Sequence, residues 1–273
     1  LLQYAKKNCE IHNSARLTLP EVLAIMEEAE KDGKVIVRLH TGDPSIYGAV
    51  REQMDALEEK GIAYESCPGV SACFGAAASL NLEYTLPDIS QTLIITRMEG
   101  RTGVPEKEQI EGLATHQASM AIYLSAGMLE ELSRRLIKGG YRRETPAALV
   151  YKATWPEEKT VRTTVAELAE AAEREHITKT ALIVVGNTVA QNGYDRSKLY
   201  DPGFTTEFRM AESSHSGKIV SAVPEIAASG KLYVVGMGPG SLDGMTKEAF
   251  KAIGDCQVIA GYTVYADLVK PYF

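Results

Sequence analysis

The apolar positions of this chain follow two alternating rhythms, one of helical period and one of short β-branched runs. Residues 19–31 carry Val22, Leu23, Ile25, Met26 and Ala29 at helical spacing, with Thr18 as a candidate cap before Pro20 and Gly33 as terminator. A strand is predicted over 35–39, a helix over 44–60 with Ala49, Met54 and Leu57 facing inward, and a short strand over 62–65. The turn Pro68-Gly69 leads into a helix of small residues over 70–80, a composition that permits close approach to a sheet or a ligand. Strands over 92–96, 120–124, 147–151 and 181–185 then alternate with helices over 106–116, 129–137 and 165–174.

This alternation implies an α/β fold in two domains, with a mainly parallel sheet in the first and a second sheet that can be mixed. The boundary is expected near His116, giving domains 1–116 and 117–209. Residues 210–230, rich in Ser, Ala and Gly, read as a linker. Residues 231–273 then restart with a strand over 232–235, the turn Gly236-Met237-Gly238-Pro239-Gly240, a helix over 246–253 and a strand over 257–260. A strand, a glycine turn and a helix ordinarily open a domain, so the chain is expected to be a piece of a longer fusion or a permuted single enzyme.

Composition narrows the class. With 273 residues, 45% hydrophobic and 24% charged, this is a soluble globular chain long enough for two cores. A net charge of -7 and a pI near 5.4 argue against a general polyanion surface, so nucleic acid is not an expected partner, while a local basic pocket for an acidic small molecule stays open. Cys9, Cys67, Cys73 and Cys256 have no metal-ligand or disulfide-framework spacing, so they are expected to be buried free thiols and no metal site is expected. The absence of a signal-peptide pattern or a long apolar run points to the cytoplasm and away from a membrane.

The most specific internal motif is Arg38-Leu39-His40-Thr41-Gly42-Asp43-Pro44-Ser45-Ile46-Tyr47-Gly48. It places a strand end before Gly42, where backbone can pass close to a ligand, then a potential cap at Asp43 and a first-turn proline at Pro44. In an open α/β sheet, ligands bind at such carboxyl-end loops, although Asp43 can equally be only a cap. In the terminal turn, a dinucleotide fingerprint would need glycine where Ser241 stands, and a phosphate loop would need Gly-Lys-Thr/Ser where Gly244-Met245-Thr246 stands. A tight turn remains, with Gly238 and Gly240 as candidate cofactor neighbours. His40 is read as a satisfied polar group and Trp155 as core.

The Gly-Asp-Pro loop, with Pro68-Gly69-Val70-Ser71-Ala72, Tyr123-Leu124-Ser125 and Ala181-Leu182-Ile183-Val184-Val185-Gly186 in the same order, resembles the tetrapyrrole methylase family. Thr96-Arg97-Met98-Glu99-Gly100-Arg101-Thr102, Val150-Tyr151-Lys152-Ala153-Thr154-Trp155-Pro156 and Ser197-Lys198-Leu199-Tyr200-Asp201 resemble the branch that methylates carbon 11 of precorrin-4 or its cobalt complex. The likeness runs to about Arg209. Gly103 stands where that branch usually carries proline, and the branch's first strand, glycine turn, helix and second strand have no counterpart before residue 1. Gly261-Tyr262-Thr263-Val264-Tyr265 and Asp267-Leu268-Val269-Lys270 are more similar to the opening of the branch acting on carbon 17 of precorrin-3B.

The resemblance implies S-adenosylmethionine as cofactor in a cleft between two domains, a homodimer, an anionic tetrapyrrole substrate and a possible fused second methylase. It carries cofactor contacts onto Thr41, Gly42, Asp43, Ile46, Ser71, Ala72, Leu124 and Ala153. Methyl transfer to a ring carbon calls for positioning rather than a catalytic triad, so no catalytic residue is assigned. Arg97 and Arg101 are the candidates for the substrate's carboxylates, with Glu99 and Lys107 as lesser ones; the alternative is a solvated charged loop. Two rival readings are a non-catalytic tetrapyrrole- or nucleoside-binding module and a nucleotide-dependent oxidoreductase, the latter disfavoured by Ser241.

Overall fold

The computed structural model describes residues 5–195, 197–211, 230–261, 267 and 269–272. Contacts divide the chain into two compact units, Leu1–Ser71 with Ala227–Phe273, and Ala72–Ile226. The division falls after Ser71, not near His116. Strand β1 (Leu93–Arg97), expected in the first domain, pairs along its whole length with β2 (Ser119–Tyr123) and so belongs to the second unit.

The second unit is built on a mixed five-stranded sheet of order β1-β2-β5-β3-β4, with β3 at Pro146–Tyr151, β4 at Lys159–Thr164 and β5 at Ala181–Val185. Only the β1–β2 pair is parallel. Interior strands β2, β3 and β5 are runs of apolar residues buried on both faces, as central strands require. On one face, α4 (Ile110–Ala114), α5 (Leu129–Lys138) and α6 (Leu168–Arg174) contribute Ile110, Leu132, Leu136 and Leu168 to a core shared with Met120, Leu149 and Ile183. On the other, α3 (Ala72–Leu80) packs Cys73, Ala76 and Leu80 with Ala121, Ala148 and Val184. The small residues of α3 let it lie close: a Cβ on Gly75 would come within 3.1 Å of the Thr154 side chain.

Strand β4 escapes the sequence pattern. Its residues KTVRTT are exposed or half-buried throughout, because it is an edge strand paired only with β3. Its polar outer face is what a sheet edge needs to avoid pairing with another chain.

In the first unit, α1 (Leu19–Lys31) starts where predicted, and Glu21 accepts the Thr18 backbone N–H at 2.7 Å. Helix α2 covers Arg51–Glu59 only. Residues 44–47 turn instead, Tyr47 and Ala49 take left-handed φ values of 57° and 49°, and a Cβ on Gly48 would sit 2.1 Å from the Pro44 carbonyl oxygen. Lys60 at the end of α2 pairs with Glu27 of α1 at 3.1 Å. Helix α7 (Lys247–Asp255) begins at Thr246, whose hydroxyl accepts from the Ala249 N–H at 3.1 Å.

The parallel sheet expected here is not formed among the described residues. Segments 35–39, 62–65, 232–235 and 257–260 join no ladder, and Val35 and Val234 are 97% and 96% exposed. β-branched composition favours a strand only when a neighbour accepts its backbone groups and covers its side chains. The linker expected over 210–230 lies outside the described residues except for 210, 211 and 230, and so do 262–266 and 268 of the carbon-17 likeness. Among the described residues no helix is long and apolar enough to cross a membrane.

Candidate functional site

The Gly-Asp-Pro loop of the first unit is clasped shut by its own aspartate. Asp43 Oδ1 accepts from the Ser45 backbone N–H at 2.9 Å and from the Ser45 hydroxyl, while Oδ2 accepts from the Gly69 N–H at 2.8 Å. Asp43 therefore caps no helix; it ties the loop to Pro68-Gly69. The Ser45 hydroxyl, then the Gly69 and Ser45 amides, hold its carboxyl below the ordinary carboxylate range. Gly42 takes φ 68°, and a Cβ on Gly69 would lie 2.0 Å from the Gly42 carbonyl oxygen, so both glycines are required by geometry. Thr41 is exposed, Ile46 half-buried and Ser71 buried.

His40, directly before this loop, is not satisfied. Its Nε2 is buried without a hydrogen-bond partner among the described residues, and burial followed by the Arg38 charge lowers its pKa, favouring the neutral ring. In the terminal turn two glycines are required for different reasons: Gly238 has φ 72° and a Cβ there would stand 2.2 Å from the Gly244 carbonyl oxygen, while Gly240 has φ 131°, a conformation that strains any other residue. Gly240 has open space around it.

In the second unit, topology collects the remaining candidates. Strand β5 runs opposite to both β2 and β3, and β1 runs with β2, so β1, β2 and β3 share one direction and their carboxyl ends lie on one edge. Open α/β sheets bind ligands at this edge. There Leu124 follows β2 with φ 54° and its apolar side chain 70% exposed. Beyond β3, Lys152 and Thr154 also take positive φ, 47° and 69°, flanking Ala153. Strained backbone of this kind persists where surrounding structure enforces it, commonly at ligand sites.

The enforcement is visible. Tyr123 Oη accepts the Cys73 N–H at 2.8 Å, tying the start of α3, with Ala72, to the end of β2. Glu158 accepts from the Ser79 hydroxyl at 2.7 Å and from the Thr154 N–H, clamping the Ala153 turn against α3. Ser125 Oγ donates to the Tyr123 carbonyl at 2.7 Å and accepts the Met98 N–H at 2.9 Å, linking the ends of β2 and β1. Ala72, Leu124 and Ala153 are thus brought together. Sequence reasoning missed Tyr123, Ser125 and Glu158 as supports; a tyrosine at a predicted strand end was the available signal.

Trp155 is 49% exposed rather than core, and Lys152 Nζ lies 5.3 Å from its ring centroid. The thiols also differ from expectation. Cys9 and Cys67 are exposed and only Cys73 is buried, because the first two lie outside any packed element.

The basic loop after β1 divides its charges. Arg97 spends its guanidinium on its own loop, with Nη1 donating to the Met98 and Thr102 carbonyls at 3.1 and 3.2 Å and Nη2 to the Gly103 carbonyl at 2.7 Å. Glu99 is held by Arg135 and Gln109, each at 3.1 Å. Arg101 and Lys107 are exposed, with no hydrogen bond or ion pair from either side chain among the described residues.

Comparison with known proteins sets this geometry in context. Cobalt-precorrin-4 C(11)-methyltransferase of Methanocaldococcus jannaschii is 54% identical over 211 residues, 77% of this chain and 82% of that protein. The X-ray structure of a cobalamin biosynthetic enzyme, cobalt precorrin-4 methyltransferase CbiF, matches with TM-score 0.66 at 43% identity, covering 67% of this chain and 77% of that one. Uroporphyrin-III C-methyltransferase of Thermus thermophilus, solved with S-adenosylhomocysteine, shares the fold with TM-score 0.52 at 20% identity over 63% of this chain and 75% of that one. The family model of the Tetrapyrrole (Corrin/Porphyrin) Methylases matches residues 1–169 and, separately, 231–273. Matched by the family model over most of its length and 54% identical to a relative over 77% of its residues, the chain belongs to the tetrapyrrole methylase family.

Proposed function

We propose that this chain is an S-adenosylmethionine-dependent C-methyltransferase that methylates carbon 11 of cobalt-precorrin-4 or precorrin-4 in cobalamin biosynthesis. The observation that carries the reading is the 54% identity over 211 residues to an enzyme of that name. The residues present suit the cofactor: Gly42 and Gly69 let two loop backbones meet more closely than any side chain would allow, His40 Nε2 is a buried polar atom without a partner among the described residues, and Ala72, Ala153 and exposed Leu124 offer small and apolar surface. We assign cofactor contact to these residues and to Thr41, Asp43, Ile46 and Ser71, with Gly238 and Gly240 as further candidates.

When bound, S-adenosylmethionine supplies a sulfonium methyl, which the nucleophilic ring carbon takes by in-line displacement as the carbon–sulfur bond breaks. The protein's part is alignment, which can supply on the order of 7–11 kcal/mol of the barrier. Asp43 fixes the glycine loop, Glu158 and Tyr123 fix the edge turns, and Arg101 and Lys107 present cations to the substrate's carboxylates. Arg97 and Glu99 hold the loop that carries Arg101. A cytoplasmic homodimer is the proposed working form. The separate match of 231–273 to the family supports reading that segment as the opening of a second methylase or as a permuted completion of the first.

Isothermal titration with S-adenosylhomocysteine tests the cofactor, and mass spectrometry of cobalt-precorrin-4 incubated with the methyl donor tests the transfer. A flat titration that the methyl donor leaves unchanged would end the proposal. A second reading, a binding module without turnover, draws on the exposed segments around Val35 and Val234. Heat of binding with no gain of a methyl group would favour it.

A further inference from the structure

Arg135 projects from α5 and is 7% exposed, held in place by a helix whose Leu129, Leu132 and Leu136 are in the core. Its Nη1 donates to Glu99 at 3.1 Å, and its Nη2 donates to Glu111 at 2.6 Å and to the Gln109 side-chain oxygen. Gln109 in turn donates to Glu99 at 3.1 Å. A buried guanidinium needs a carboxylate, and Glu111 on α4 already supplies one. The second carboxylate, Glu99, has a side chain 46% exposed, so its pairing adds little to stability. What it does instead is reach from the core into the loop that carries Arg101.

We propose that Arg135 is a positioning residue for substrate recognition: through Glu99 it fixes the 97–103 loop so that Arg101 meets a tetrapyrrole carboxylate at a set place. The inference rests on the function proposed above. Three anchors then act on one short loop: Arg97 staples its carbonyls from within, Ser125 holds the Met98 N–H, and Arg135 holds Glu99 from beneath. Arg101, between them, keeps its donors for a ligand.

The experiment uses the full chain with Glu99→Gln, Arg135→Lys and, as a control on α5, Glu131→Gln, which breaks the exposed pair with Arg134 and removes no hydrogen bond or ion pair to Arg135. Two readouts are taken: amide hydrogen exchange across 98–103, and steady-state kinetics with tetrapyrrole and methyl donor varied in turn. Expected for Glu99→Gln are faster exchange in the loop and a KM for the tetrapyrrole raised about tenfold, with the KM for the methyl donor unchanged. Arg135→Lys, which keeps the charge but loses the fork, should fall between wild type and Glu99→Gln, and Glu131→Gln should match wild type. Unchanged exchange in Glu99→Gln, or equal rises in both KM values, would overturn the proposal. An inactive wild-type chain would instead defeat the functional reading, while loop exchange would still decide whether Arg135 holds the loop.

Discussion

Gly69→Ala isolates the contact between the two loops of the first unit. The added Cβ would lie 2.0 Å from the Gly42 carbonyl oxygen, a backbone atom that no side-chain rotation can move aside. Restoring ordinary van der Waals separation drives the loops apart by about 1 Å or more, which also breaks the 2.8 Å bond from the Gly69 N–H to Asp43. A hydrogen bond to a charged group contributes about 1.5–3 kcal/mol. Misplacement by about 1 Å can lower the rate about 100-fold, equivalent to about 2.7 kcal/mol. The lost hydrogen bond, about 1.5–3 kcal/mol, is read as lower folding stability in denaturant titration, and the misplacement, about 2.7 kcal/mol, as lower kcat/KM for the methyl donor with weaker S-adenosylhomocysteine binding by calorimetry. Gly61→Ala is the control. Gly61 has φ +67° with nothing within 4 Å, so alanine there costs about 1 kcal/mol of backbone strain, a Tm drop of about 2–4 °C, without touching the loop. If Gly69→Ala bound the ligand as tightly as Gly61→Ala, the close approach would not be what shapes the site.

Three further outcomes follow from the edge turns and the ion pairs. Leu124→Gly removes a side chain from a φ of 54°, so it should raise stability by about 1 kcal/mol in denaturant titration while weakening cofactor binding; a parallel loss of both would show that Leu124 is structural. Glu158→Gln should cost about 1–2 kcal/mol by loosening the Ser79 and Thr154 clamp, visible as faster exchange of the Thr154 amide. Asp43 and Glu111 have pKa values lowered by Ser45 and Gly69 and by Arg135, respectively, so the unfolded chain binds protons more readily than the folded one. Their stabilisation is therefore full above the ordinary carboxylate pKa and is lost as pH falls through the lowered values. Glu111→Gln should flatten the Tm-versus-pH curve below about pH 4.5, and an unchanged slope would refute the linkage.

How much could be read from sequence followed from where the physics was local. Strand β5 was placed to the residue, and β2 and β3 nearly so, because runs such as Ala181 to Val185 are apolar on both faces and can only be interior. Strand β4 was invisible because an edge strand of Lys, Thr and Arg carries no burial signature. The Gly-Asp-Pro loop was located by its turn chemistry, yet Asp43's partner, Gly69, lies 26 positions away and no spacing rule links them. The charge of Arg135 by itself favours solvent, yet its place three residues after Leu132 puts it on the buried stripe of α5. Composition alone predicts strands around Val35 and Val234, but a ladder is a property of two segments and neither reveals its partner.

One consequence follows from β5 lying antiparallel between β2 and β3. Ile183 faces Ile122 and Leu149, and Val184 faces Ala121 and Ala148, so the gap between the Leu124 and Ala153 turns is gauged by interior residues that never meet solvent. Side chains on those turns can therefore be exchanged without altering their spacing. An altered fit to the methyl donor should be obtainable by grafting turn residues alone, with the sheet serving as an unchanging jig.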